Sequence, residues 1–67
     1  MKALAAVDRR LRELKSPQTS DQLAQYLALS KPTVLRVLRE LREMNEVRRF
    51  SAGGKWYYEV RRNVPTV

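Results

Sequence analysis

Two helix-start signals in close succession constrain this chain more than any other feature. In "TSDQLAQYLAL" Thr19 and Gln22 stand three apart, so each side chain can satisfy the other's backbone donor as a capping box. About eight residues later Ser30 offers a second N-cap, with Pro32 in the first turn where a missing N–H costs nothing. A short helix that stops just before another starts cannot run straight on, so the pair crosses. That is the geometry of a helix-turn-helix.

The segments on either side fit around that pair. From Lys2 to about Lys15, Leu4, Val7, Leu11 and Leu14 recur at helical spacing and form one apolar stripe, and Pro17 ends this first helix. Leu23, Ala24 and Leu27 form the inner face of the second helix, and Asp21 sits in its first turn, where the helix dipole favours an anion. In the third, Val34, Val37, Leu38 and Leu41 share the core face, while Pro32, Arg36, Arg39, Glu40 and Glu43 point away. Asn45 suits the left-handed residue that closes it. Beyond Asn45 the period changes, and a Gly53-Gly54 turn pairs Arg48 with Glu59 and Val47 with Val60. The order is three helices followed by a two-stranded β-hairpin, an α+β winged helix-turn-helix. Residues 1–62 are expected to form this single domain and residues 63–67 a disordered tail.

The run "TSDQLAQYLALSKPTVLRVLRELREMNEVRRF" resembles winged-helix transcriptional regulators such as the bacterial arsenic-repressor and multiple-antibiotic-resistance-repressor families. The specific part is Leu29-Ser30 followed by Thr33-Val34, Leu38 and Leu41, the segment that serves as the recognition helix in such families. Ala28 and Asn45 stand where those families commonly carry glycine, and Ala28 is strained if its φ is positive. The short strand that usually precedes the second helix is barely visible in "PQT".

Charge narrows the partner. Fourteen Lys and Arg against seven Asp and Glu give a net charge of +7, a field that favours a polyanion. The sequence contains no Cys and no His, which argues against disulfides, thiolate or imidazole metal sites and Cys-His or Ser-His nucleophiles, so an enzyme or metal sensor is not expected. The apolar run near the start is broken by Asp8, Arg9 and Arg10, which supports neither a leader nor a membrane span; cytoplasmic localisation is the expectation.

The expected partner is double-stranded DNA, with no cofactor, small-molecule ligand or membrane. Helix-turn-helix proteins read bases with the N-terminal half of the recognition helix, which selects Arg36 first and then Lys31 and Thr33. Ser30 is chiefly a cap that can also meet a phosphate, and Pro32 a helix-start residue that can also pack on a thymine methyl. Arg39 is a further candidate, weighed against simple pairing with Glu43, as Arg36 is with Glu40 and Arg42 with Glu46. The resemblance adds Arg49 and Lys55, which flank the Gly-Gly tip that such families lay along the backbone or minor groove. Trp56, Tyr57 and Tyr58 are expected to serve packing. The function expected is sequence-specific duplex binding by a small transcriptional regulator or a phage- or plasmid-type control protein. The alternative is a protein-interaction module or a subunit of a nucleoprotein assembly. The free protein is expected to be a monomer that binds adjacent DNA sites cooperatively, with Leu35, Tyr26 or the C-terminal tail as contacts.

Overall fold

The computed structural model describes residues 2–61. The elements follow in the order α1 (Lys2–Leu14), β1 (Gln18–Thr19), α2 (Ser20–Leu27), α3 (Lys31–Glu43), β2 (Val47–Ala52) and β3 (Lys55–Val60). This is the expected winged helix-turn-helix. The expected tail at residues 63–67 lies outside the described residues.

The caps form as the residues dictate. Gln22 N–H donates to Thr19 Oγ1 at 3.1 Å and Thr19 N–H donates to Gln22 Oε1 at 2.9 Å, completing the capping box that starts α2. Thr33 N–H donates to Ser30 Oγ at the start of α3, where Pro32 occupies the first turn. Ala28 closes α2 in the left-handed conformation at φ 55°, and the Leu29 N–H reaches back to the Ala24 carbonyl at 3.0 Å. Asn45, at φ 59°, does the same for α3. The first helix ends differently from the reading based on Pro17: Lys15 itself turns left-handed at φ 57°, before the proline is reached.

Val7 and Leu11 of α1, Leu23 of α2, and Val34, Val37, Leu38 and Leu41 of α3 form the core, closed on the sheet side by Val47 and Tyr58. The hairpin register matches the expected one at every step, from Val47 opposite Val60 to Ala52 opposite Lys55. The sheet is, however, three-stranded, in the order β1-β3-β2, because Gln18 and Thr19 pair with Tyr58 and Tyr57. The two-stranded description therefore needs a third strand. Two residues carry no periodicity, and this strand exists only because β3 offers its second edge.

Candidate nucleic-acid interface

The candidate surface starts at the Ser30 cap and runs along α3 toward the wing. The Ser30 and Thr33 hydroxyls hydrogen-bond to each other at 2.7 Å, which holds the first turn rigidly and leaves both oxygens committed locally. Pro32 and Arg36 are exposed on the side away from the buried Val34, Val37 and Leu38. Arg36 makes no ion pair among the described residues, so its guanidinium is available.

The other cations differ in their freedom. Lys31 Nζ lies 3.1 Å from Asp21 Oδ1, an exposed contact that ties the start of α3 to the start of α2. Arg39 pairs with Glu43 at 3.3 Å, the one intrahelical pair of the three expected on α3 that forms. The Arg36–Glu40 and Arg42–Glu46 pairs do not. Glu46 lies beyond the end of α3, where helical spacing no longer applies. Glu46 instead accepts from Arg12 Nη2 at 2.9 Å. Glu40 is half-buried rather than fully outward.

Across from α3 stands the wing. Gly53 and Gly54 take φ of 57° and 76°, the left-handed pair a tight two-residue hairpin requires, and Lys55 is exposed directly after them. Arg48 donates to Glu59 across the strands, as expected. Arg49 lays its guanidinium over the Trp56 ring, 4.4 Å from the centroid, so it belongs to a stacked pair rather than standing free beside the tip. Tyr58 is buried and Tyr57 stacks on Phe50 at 5.7 Å, the packing role expected of them. Trp56 departs from it. It is 51% exposed, near the wing tip opposite Ser51. With Leu35, Lys31 and Lys55 it lines a groove of about 530 Å³ between α3, α2 and β3. Nothing in the local pattern of "KWYYEV" separates an exposed Trp from a packed one; only its distance from the strand's buried end could have hinted at it.

The arginines of α1 occupy a different setting. Arg12 donates to Asp8 Oδ2 at 3.1 Å as well as to Glu46, and Arg9 lies 3.8 Å from Glu13. The hydrogen bond and charge of Asp8, followed by Glu46, hold the Arg12 guanidinium above its ordinary pKa despite some desolvation. Arg10 stacks over Tyr26 at 3.4 Å from its centroid.

This arrangement matches known proteins. Residues 6–48 fit the model of the bacterial regulatory protein, arsR family. The chain belongs to that family. It is a winged helix-turn-helix DNA-binding domain of the ArsR type, the domain of transcriptional regulators. The solved ST1889 protein from the thermoacidophilic archaeon Sulfolobus tokodaii is similar at 35% identity and a TM-score of 0.85 over 94% of this chain. The chain spans 63% of that protein's length. A structure from work on the DNA recognition and protein interaction domains of HOP2 shares the fold, with a TM-score of 0.80 at 21% identity over 88% of this chain and 98% of that one. No curated protein sequence matches.

Within this ArsR-type chain, the absence of Cys and His leaves a thiolate or imidazole metal site without ligands. Among the described residues no group of three or more acidic side chains is placed to hold a metal, and no helix is long and apolar enough to cross a membrane.

Proposed function

We propose that this ArsR-type domain binds double-stranded DNA in a sequence-specific manner, with the N-terminal half of α3 in the major groove and the Gly53-Gly54 wing on the backbone or in the minor groove. The observation that carries this reading is Arg36: an exposed guanidinium in the N-terminal half of α3 with no carboxylate partner among the described residues. Arg36 reads a base edge, for which the planar fork suits a guanine. Lys31, released from Asp21, and Lys55, both exposed, neutralise phosphates, and release of the DNA's counterions drives the contact. Ser30 and Thr33 order the helix start beside a passing phosphate, and Pro32 packs beside them. Arg39 adds a phosphate contact at the expense of its bond to Glu43. Arg49 acts through Trp56, stiffening the wing as it meets the backbone.

Selection from random duplexes with the purified protein, at two salt concentrations, tests the reading. Enriched sites should share a short motif, and affinity should fall with salt with a log–log slope of about −0.9 per phosphate contacted. Salt-independent association, or no binding to any duplex at low salt, would refute it.

Single recognition helices read few base pairs, so selectivity comes from copies bound at neighbouring sites. The large exposed apolar side chains among the described residues are Tyr26, Leu35, Met44 and Trp56, and two of these line the groove by the wing. That leaves little apolar surface for a dimer of the free chain. Sedimentation of the free protein should show a monomer at micromolar concentration, and two-site duplexes should bind cooperatively; a stable free dimer would reject this part.

A further inference from the structure

The groove between α3 and the wing has a chemical character that duplex binding by charge does not explain. Leu35 is 40% exposed and Trp56 51% exposed, and both line this one groove, whose remaining walls include Lys31, Asp21, Lys55 and Gly54. Lys31 and Asp21 are joined to each other at 3.1 Å, Thr19 and Gln22 bond each other in the capping box, and Arg49 covers the Trp56 ring, so much of the polar lining already has partners. An exposed leucine on a helix that presents Lys31, Arg36 and Arg39 to a polyanion gains nothing from phosphate. It gains from an apolar group. The major-groove edge of duplex DNA offers one such group, the 5-methyl of thymine.

We propose that Leu35 is a specificity-determining residue that receives a thymine 5-methyl group, with Trp56 as the wall that keeps water from the contact. This rests on the duplex-binding reading above. The lysines supply the complementarity for that occupant: Lys31 lies one helical turn before Leu35, and Lys55 neighbours Trp56 in the strand, so a phosphate strand passing the groove meets a cation on either side of the apolar pair. A protein partner would instead require this apolar pair to be ringed by neutral or acidic-complementary surface of larger extent; two side chains are too small a patch for stable docking.

The test replaces thymine by uracil, which removes only the methyl, at each thymine of the selected duplex in turn. The wild-type protein should lose about fourfold in affinity at one position, the effect of burying one methyl-sized group, and little elsewhere. Leu35→Ala should bind the thymine and uracil duplexes equally at that position, while Arg36→Ala keeps the discrimination on a weaker background. Trp56 is the sole tryptophan, so its fluorescence should change on binding and report occupation of the groove directly. Equal affinity for thymine and uracil at every position, a selected site lacking thymine, or discrimination that survives in Leu35→Ala would each overturn the proposal while leaving duplex binding intact. Absence of duplex binding would overturn both. Because the main readout compares two DNAs with the wild-type protein, it does not depend on any variant folding.

Discussion

The first and third helices are the same length, thirteen residues, and both are amphipathic and rich in arginine, yet they are used differently. On α1 the guanidinium of Arg12 is shared between Asp8 and Glu46, and Arg9 lies near Glu13. Those two charges are answered by carboxylates within the protein, while Arg10 rests on the Tyr26 ring. On α3 only Arg39 is paired along the helix, while Arg36 has no carboxylate partner. The core shows the same asymmetry, since α1 buries Val7 and Leu11 whereas α3 buries Val34, Val37, Leu38 and Leu41. If α3 faces a polyanion with one side, as proposed above, it needs a strong hold on the protein with the other. Similar composition therefore straps α1 to the rest of the domain and, on the reading proposed above, leaves α3 as the surface for DNA.

Truncation of the buried faces should break the comparison most severely. Leu38→Ala leaves a cavity at the centre of the core and should cost about 2–5 kcal/mol, enough to unfold much of a domain this small. Leu14→Ala on α1 removes a half-buried side chain at the edge of a surface hollow and should cost only about 1 kcal/mol. Urea titrations followed by circular dichroism check both; equal losses would mean that α1 and α3 share the core evenly.

Next in size is the effect on DNA. Arg36→Ala should lose on the order of 1–3 kcal/mol on the selected site and relax preference at one base pair. Arg12→Ala should leave that affinity within about twofold at physiological salt, because its charge is already compensated and weakly felt at a distance. Titration of specific and random duplexes decides the matter, and an equal drop for Arg36→Ala on both would reduce it to a phosphate contact.

Helix ends provide a smaller contrast. Both close on a left-handed residue, Lys15 at φ 57° and Asn45 at φ 59°, but lysine adopts that conformation reluctantly and asparagine does not. Lys15→Gly should stabilise by about 1 kcal/mol and raise Tm by about 4–8 °C, whereas Asn45→Gly should change little. Ala28→Gly should behave like Lys15→Gly, its φ being 55°. Thermal melts that rank Asn45→Gly above the other two would contradict the strain argument.

The smallest effect concerns the link between the two helices. Glu46→Gln removes the charge that Arg12 reaches across to, and as an exposed pair this should cost under about 1 kcal/mol and less as salt rises. A loss that grows with salt would show that the contact works through packing rather than charge.

The starts of α2 and α3, their caps and the hairpin register were legible in the sequence because each rests on neighbours in the chain: a capping box needs only Thr19 and Gln22, and a Gly-Gly turn sets every cross-strand pair by counting outward. The face of α3 was legible too, since helical periodicity separates Val34, Val37, Leu38 and Leu41 from Arg36. What tertiary structure decided was the choice of partner. Glu46 could satisfy Arg42 by spacing but meets Arg12, thirty-four residues away, because α1 packs against the end of α3. Lys31 finds Asp21 only when the turn brings two helix starts together, and Gln18-Thr19 becomes a strand only beside β3. Trp56 stays exposed because it borders an open groove with α2 and α3 rather than the packed core. Periodicity and capping are local and written in short stretches, whereas ion pairs, edge strands and exposure depend on which distant elements arrive within a few ångströms.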